Sequence, residues 1–202
     1  MSEVQIPAAL VKELRESTGA GMMDCKRALV ESDSDLEKAA EYLRKQGIDK
    51  AVKKSERAAN EGVVHAYIHQ GAKIGVLLEV NCETDFVART DDFQSFCQEI
   101  AMQIAALAPL HVSRDEVSAE LLEKEREIYR ETAVNEGKPE HILDRIVDGK
   151  VEKYFEQVCL LEQPYMRDNE KTIGDLLKEK IASLGENMQI ARFVRYTLGE
   201  GS

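Results

Sequence analysis

The spacing of apolar residues first changes along this chain near residue 62, and this change constrains the fold more than any other feature. Before it, apolar residues recur at helical intervals, as in Leu36, Ala39 and Leu43. After it, two runs rich in β-branched residues, Val63–His69 and Ile74–Val80, indicate strands. The sequence therefore predicts a helical unit followed by a unit that contains a sheet.

The first 47 residues predict a bundle of three short helices. The first ends at the turn Thr18–Gly21, and the second covers Met22–Glu31. Ser34 and Glu37 have the spacing of a capping box at the start of the third helix, and Gly47 is placed to end it.

The rest of the chain predicts a hairpin of the two strand runs, with helices and further strands after it. The basic stretch from Lys50 to Arg57 indicates a helical linker into this part. A helix beginning at Asp91 has the inward positions Phe93, Phe96, Ile100, Ile104 and Leu107. Later elements are an acidic helical stretch at residues 114–137, a helix from Pro139 through Phe155, strands at Val158–Leu161 and Gln189–Leu198, and a helix at Ile173–Leu184. We expect an α+β protein with a three-helix bundle at residues 1–49, a helical linker at 50–61 and an antiparallel core packed with helices at 62–202.

The net charge of −11 lies in the second part of the chain. Residues 1–60 carry 11 Lys and Arg against 11 Asp and Glu, whereas residues 61–202 carry 16 against 27. So acidic a surface repels phosphate groups, and we therefore expect neither nucleic acid nor a membrane as direct partner. No apolar run approaches the roughly 20 residues that cross a bilayer, and the start of the chain lacks the pattern of a signal peptide, so we expect a cytoplasmic protein.

No motif in the sequence predicts catalysis. The four cysteines form no CxxC pair, and Cys25 and Cys97 are expected to be small core residues. The Gly19–Gly21 turn lacks the third glycine of a dinucleotide loop and follows a helix, so it predicts a tight turn. His65 and His69 have no carboxylate or cysteine at ligand spacing. We expect no enzymatic activity, no metal and no cofactor.

Two apolar segments allow both a structural and a functional interpretation. Consecutive helical residues point about 100° apart, so at least part of the Met22–Met23 pair is expected to face outward and dock on a protein; alternatively, both fill the small core. Phe86 and Val87 lie between acids in the segment Asn81–Thr90, which joins an apolar strand to an apolar helix. They either tuck into the core or present an apolar side chain at a rigid corner, with Asp85 beside it to cap or to compete for hydrogen bonds.

At these residues the chain resembles the elongation factor Ts family of bacteria, the nucleotide exchange factors for elongation factor Tu. LVKELRESTGAGMMDCKRAL at residues 10–29 is similar to the family's amino-terminal signature, and EVNCETDFVART at residues 79–90 is similar to its second. Weaker likeness continues to the final RFVRYTLGEG. The resemblance implies an amino-terminal domain of the ubiquitin-associated type followed by a core of antiparallel strands and helices.

The resemblance also implies roles for individual residues. Thr84, Asp85, Phe86 and Val87 match the family's T-D-F-V loop, whose phenylalanine enters the GTP-binding domain of elongation factor Tu, disturbs Mg²⁺ and phosphate binding and loosens GDP. Arg15, Met22 and Met23 match positions that dock on the same domain. His69 resembles a histidine that contacts the phosphate-binding region, although the family's long form carries it in its other core repeat.

The long form of the family has two core halves, a protruding coiled-coil insertion and a carboxy-terminal helical module, whereas this chain has strands for one sheet. Half a core would leave apolar sheet surface uncovered, so we expect a homodimer in which a second copy replaces the missing half. The competing hypothesis is a non-enzymatic adaptor, or a chaperone-like peptide-binding protein, associated with the ribosome.

Overall fold

The computed structural model describes residues 6–200, except for the side chain of Lys50 in the predicted linker. Within that range the secondary structure is α1 Ala8–Thr18, α2 Met22–Glu31, α3 Leu36–Lys54, β1 Glu61–Ile68, β2 Ile74–Cys82, α4 Asp85–Ala88, α5 Asp91–Leu107, α6 Ala119–Asn135, α7 Leu143–Val158, β3 Pro164–Tyr165, β4 Asp168–Thr172, α8 Ile173–Leu184 and β5 Met188–Thr197. The fold is α+β, with amino-terminal helices before an antiparallel sheet, which confirms the predicted class.

The chain packs as two compact units. The first contains the described residues up to Val63 together with Asn81–Gln94 and Asp175–Gln189. The second contains Val64–Val80, Ser95–Gly174 and the described residues from Ile190 onward. A compact unit is not necessarily a domain that folds by itself. The predicted domain boundaries at residues 49 and 61 therefore stay a prediction.

The three amino-terminal helices pack around a small apolar core in the first unit. α1 begins after Pro7 and ends at Gly19, whose φ of +67° explains the glycine and whose N–H donates to the carbonyl of Arg15. The fully buried residues of the core come from all three helices: Leu14, Cys25, Ala28, Leu29 and Ala39. The predicted helices 1 and 2 and the core role of Cys25 are confirmed.

The predicted start of α3 is wrong by one residue. The side chain of Asp35, and not that of Ser34, accepts the backbone N–H of Lys38. This hydrogen bond holds the pKa of the Asp35 carboxyl below its ordinary value. The capping-box spacing misleads here because Ser34 takes a left-handed backbone conformation, with φ of +65°.

The predicted end of α3 at Gly47 is also wrong, because the helix continues into the predicted linker as far as Lys54. The predicted helical linker is wrong for residues 55–60, which form turns and an irregular connection to β1. Gly47 allows two helices to approach closely instead. A Cβ atom at this position would lie 3.2 Å from the Cβ of Ala182 on α8. The glycine therefore belongs to a helix–helix contact within the first unit and not to a helix end.

The main sheet has the strand order β1-β2-β5, with β2 in the centre. The β1–β2 hairpin turns through Gly71 and Ala72, which have φ of +90° and +53°. β5 runs antiparallel to β2, since the N–H of Leu198 at its end donates to the carbonyl of Lys73 at the start of β2. The hairpin and the last strand are thus confirmed.

Helix α5 covers one face of this sheet. His65 Nε2 lies 2.9 Å from Gln98 Oε1, and Arg195 Nε donates to the carbonyl of Ala105. Four of the five inward positions of α5 and Cys97 are fully buried, as predicted. Leu107 was predicted inward but is 47% exposed, because it occupies the last turn, where the chain leaves the helix.

Helices α6 and α7 form a helical hairpin, a pairing that the sequence did not predict. Gly137, with φ of +73°, lies in the connection between them. Apolar residues of α7, including Val147 and Val151, pack against partly buried residues of α6. Ion pairs Arg126–Asp148 and Arg130–Asp144 cross the same interface.

The predicted strand at Val158–Leu161 is wrong, and a small two-stranded sheet follows it instead. Val158 ends α7, and residues 160–162 form a 3₁₀ turn. The apolar run reflects burial, since Cys159 and Leu160 are fully buried, and a short buried run does not distinguish strand from helix end. The strands β3 and β4 were missed because they are short and mostly polar.

Candidate partner-binding site

A short helical turn, residues 84–87, follows the central strand; we call it the corner turn. Thr84 is the N-cap of α4, and its Oγ1 accepts the backbone N–H of Val87 at 3.4 Å. The hydroxyl of Thr90 donates to the carbonyl of Val87 at 2.8 Å, and Gln94 Nε2 donates to that of Ala88 at 2.7 Å. Hydrogen bonds therefore hold both ends of the turn.

Phe86 is the exposed side chain of the corner turn. Its exposed fraction is 78%, whereas Val87 is partly buried and Ala88 is buried. The interpretation in which both Phe86 and Val87 tuck into the core is therefore wrong for Phe86. The structure thus leaves a large apolar ring in water on a turn whose two ends are held by hydrogen bonds.

Asp85 does not cap the turn. Its Oδ2 accepts a hydrogen bond from Arg89 Nη2 at 2.7 Å, one helical turn away, and Thr84 occupies the cap position. The carboxylate is half-buried and lies next to Phe86 in the sequence. Arg89 thus holds a negative charge in place on the residue directly before Phe86.

Thr84 is held by Glu186, a residue that no pattern in the sequence singles out. Glu186 lies beyond the end of α8 and accepts two hydrogen bonds from Thr84: the backbone N–H donates to Oε2 at 3.0 Å and the hydroxyl to Oε1 at 2.7 Å. A separation of 102 residues leaves no local signal. The one hint is an acid directly after the glycine that ends a helix, where the helix dipole disfavours negative charge.

Cys82 lies beneath the corner turn as a buried, protonated thiol. It is fully buried, and its Sγ donates to the carbonyl of Thr84 at 3.1 Å. Burial raises its pKa, and the negative charge of Glu186 adds to the increase. The thiol therefore supports the turn and is a poor nucleophile.

Both methionines at the start of α2 face outward. Met22 is 60% and Met23 69% exposed, so the interpretation that both fill the core is wrong. Arg15, in the last turn of α1, is exposed on the other side of the same tight turn. The three side chains thus flank one turn of the bundle.

Val30 extends the surface formed by Met22, Met23 and Arg15, which we call the methionine surface, and no motif in the sequence singles it out. It is exposed and lies seven and eight residues after the methionines, which places it on the same face of α2. Lys26 and Arg27 are exposed between them. The helical periodicity of residues 22, 23, 26, 27 and 30 could have identified this mixed apolar and basic face.

His69 belongs to the second compact unit, whereas the corner turn and the methionines belong to the first. It is exposed in the β1–β2 connection, as expected, and its Nδ1 lies 2.8 Å from the hydroxyl of Tyr67. Nothing in the described structure brings it together with the other candidate residues.

The residues that the structure describes hold no cluster of three or more His, Cys, Asp or Glu side chains fit for a metal ion. No helix in this part of the chain has the length and apolar character to span a membrane.

Comparisons with known proteins match almost the whole chain. A family model described as "Elongation factor TS" matches residues 8–200. A protein called elongation factor Ts from Heliobacterium modesticaldum is 58% identical over 196 residues, which are 97% of this chain and 91% of the relative. One from a Thermoanaerobacter species is 61% identical over 196 residues, covering 97% and 96%. One from Geobacter metallireducens is 58% identical over 198 residues, covering 98% and 92%.

Proposed function

The chain belongs to the elongation factor Ts family, and from this premise we propose that it releases GDP by inserting Phe86 into the GTP-binding domain of elongation factor Tu. The protein is a nucleotide exchange factor for elongation factor Tu in translation elongation and acts without covalent catalysis. The observation that carries the insertion step is the 78% exposure of Phe86 on a turn held by hydrogen bonds at both ends.

Exchange is a coupling between two binding sites. A factor that weakens the binding of GDP to its partner is itself bound more weakly when GDP is present. Accelerating release about a thousandfold requires about 4 kcal/mol of preference for the opened partner. Burying one phenylalanine contributes about 1.5 to 3 kcal/mol. Phe86 therefore supplies a large part of this preference, and it can act only while a second contact holds the factor on its partner.

The methionine surface supplies that second contact in this proposal. Met22, Met23 and Arg15 dock on the GTP-binding domain through two apolar side chains and one positive charge. These three residues lie in the same compact unit as the corner turn, which supports the proposal. One compact unit then carries both the docking residues and the inserted ring. Docking at the methionines thereby holds Phe86 at its insertion point and raises its effective concentration there.

The other residues of the corner turn have supporting roles. Thr84 and Val87 fix the direction of the turn through their mutual hydrogen bond. Asp85 brings a negative charge to the insertion point, where it competes with phosphate for hydrogen-bond donors and with the oxygen ligands of Mg²⁺ for the cation in the partner. His69 is proposed as a separate contact with the phosphate-binding region.

The test is the variant Phe86→Ala in stopped-flow release of labelled GDP from elongation factor Tu. We expect the maximal rate at saturating factor to fall by about 10- to 150-fold, the factor that corresponds to losing the burial of one phenylalanine. The concentration that gives half of the maximal rate should stay within about threefold, because the docking contacts remain.

The matched control is Leu110→Ala, which truncates another strongly exposed apolar residue outside the corner turn. It should release GDP at the wild-type rate. The insertion step would be contradicted if Phe86→Ala lowered the maximal rate and the affinity for the nucleotide-free partner by the same factor. A peptide-binding adaptor, the competing hypothesis, would leave GDP release at its basal rate with every variant.

We further propose that the protein is a homodimer through the outer face of its main sheet. Five large apolar residues of its strands are exposed, and strand alternation places them on the face opposite α5: Val64, Ile68, Leu77, Val194 and Tyr196. Contacts across the strands support this grouping, because Gly75 lies against Ile68 and Arg192 pairs with Glu79 at 2.7 Å. A second copy offers the same apolar face, and two sheets pack face to face in a self-complementary interface.

The dimer is tested with Val64→Lys, which puts a charge on the outer face of an edge strand and leaves the monomer's packing intact. Sedimentation velocity at micromolar concentration should give a dimer for the wild type and a monomer for the variant. Val134→Lys, an equivalent change at an exposed valine of α6, should remain dimeric. A wild type that sediments as a monomer would contradict the proposal.

A further inference from the structure

The turn between α8 and β5, residues 185–187, is the element that holds the corner turn from outside. Gly185 ends α8 with φ of +82°, and its N–H donates to the carbonyl of Ile181 at 3.1 Å. Met188 begins β5 three residues later and is buried. Because the turn is this short and anchored at both ends, the position of Glu186 within it is fixed.

Glu186 controls the hydroxyl that caps α4. A threonine hydroxyl has one proton to donate and lone pairs to accept with. Here the proton goes to Glu186 Oε1 at 2.7 Å, which leaves a lone pair for the N–H of Val87 at 3.4 Å. Phe86 lies between Thr84 and Val87 in the sequence. The orientation of its turn therefore depends on the carboxylate.

Helix α4 needs this support because it is only four residues long. So short a helix is not stable by its own hydrogen bonds, since nucleation fixes several dihedral angles for a single bond. Glu186 also accepts the backbone N–H of Thr84, so one carboxylate satisfies two donors at the start of the turn. Both bonds are charge-assisted and thus stronger than bonds between neutral groups.

The same turn is tied to the end of the long helix α3. Asn187 is almost fully buried, and its Nδ2 donates to the carbonyls of Arg57 at 2.6 Å and Ser55 at 3.3 Å. Its backbone N–H donates to Oε1 of Glu83 at 2.6 Å. The turn is therefore fixed between the carbonyls that follow α3 and the residue that precedes Thr84.

We infer that Glu186 is a positioning residue for Phe86, acting through the hydroxyl and N–H of Thr84 from a turn that Asn187 anchors to the end of α3. The inference rests on the proposed insertion of Phe86. In this inference the corner turn is already ordered before the partner binds. The free energy of inserting Phe86 is therefore not reduced by an entropic cost of ordering the turn.

The test compares Glu186→Gln with Glu156→Gln, the same chemical change at an exposed glutamate of α7. An amide retains one acceptor and presents N–H groups to the second donor, so one of the two bonds to Thr84 is lost. Thermal unfolding of both variants controls for loss of the fold. The first measurement is amide hydrogen exchange of the free protein, in which Thr84 and Val87 should exchange about tenfold faster in Glu186→Gln and at the wild-type rate in Glu156→Gln.

The second measurement is stimulated GDP release. Glu186→Gln should lower the maximal rate about tenfold, with the half-saturating concentration within about twofold of wild type. The effect should disappear in the Phe86→Ala background, because a residue that acts only through Phe86 has nothing to position once the ring is gone. A general structural role would instead lower the rate by the same factor in both backgrounds.

Each outcome has one meaning. Unchanged hydrogen exchange at Thr84 and Val87 in Glu186→Gln overturns the inference, whatever the release assay gives. An equal loss of rate with and without Phe86 also overturns it. A wild-type protein that leaves GDP release at the basal rate overturns the proposed function, and the hydrogen-exchange result still decides whether Glu186 orders the corner turn.

Discussion

Replacing both exposed methionines by alanine should weaken docking and leave the insertion step intact. Met22 and Met23 are 60% and 69% exposed in the free protein, so roughly two-thirds of each side chain remains to be buried by the partner. Full burial of a methionine contributes about 1.5 to 3 kcal/mol, which gives about 1 to 2 kcal/mol for each and about 2 to 4 kcal/mol for the pair. The half-saturating concentration should therefore rise by about 30- to 900-fold.

The assay is GDP release from elongation factor Tu over a range of factor concentrations, with binding to the nucleotide-free partner measured in parallel. Alanine is a strong helix former and neither methionine is in the core, so the unfolding temperature should not fall. The maximal rate should stay within about threefold of wild type, because the corner turn is unchanged. A large loss of maximal rate at an unchanged half-saturating concentration would refute the division of labour between the methionines and Phe86.

Two further predictions concern the interior. All four cysteines are free and buried, and burial raises the pKa of Cys159 to about 11. A thiol reagent at pH 8 should therefore react slowly with the native protein and should modify four thiols after denaturation. A thiol that reacts fast in the native protein would contradict the packing. Gly47→Val should lower the free energy of unfolding by about 1 to 3 kcal/mol in urea titrations, because the valine side chain would meet Ala182. Adding Ala182→Gly should restore part of this loss. An unchanged urea midpoint would show that α3 and α8 are not in close contact.

Local patterns in the sequence predict most elements of this fold. Helical spacing and the Thr18–Gly21 turn locate α1 and α2, and runs rich in β-branched residues locate the hairpin. The errors occur where tertiary packing decides. Gly47 carries the signal of a helix end, but its lack of a side chain serves contact with Ala182. The apolar run at Val158–Leu161 carries the signal of a strand, but it is a buried helix end.

The candidate site likewise contains residues that the sequence indicates and residues that only the tertiary contacts reveal. The exposure of Phe86 could be suspected from its position between acids, because a connection between two apolar elements needs no phenylalanine. Glu186 could not, because its role exists only when the turn after α8 meets the corner turn, 102 residues away in the chain. A residue that positions another through such a contact has no periodicity and no motif.

The measurement that tests the central claim most directly is the dissociation rate of labelled GDP from elongation factor Tu, with and without a saturating amount of this protein. The account predicts an acceleration of about a thousandfold that saturates with factor concentration, together with a matching loss of the factor's own affinity when GDP is in excess. Binding of the protein to elongation factor Tu with GDP leaving at its basal rate would contradict it.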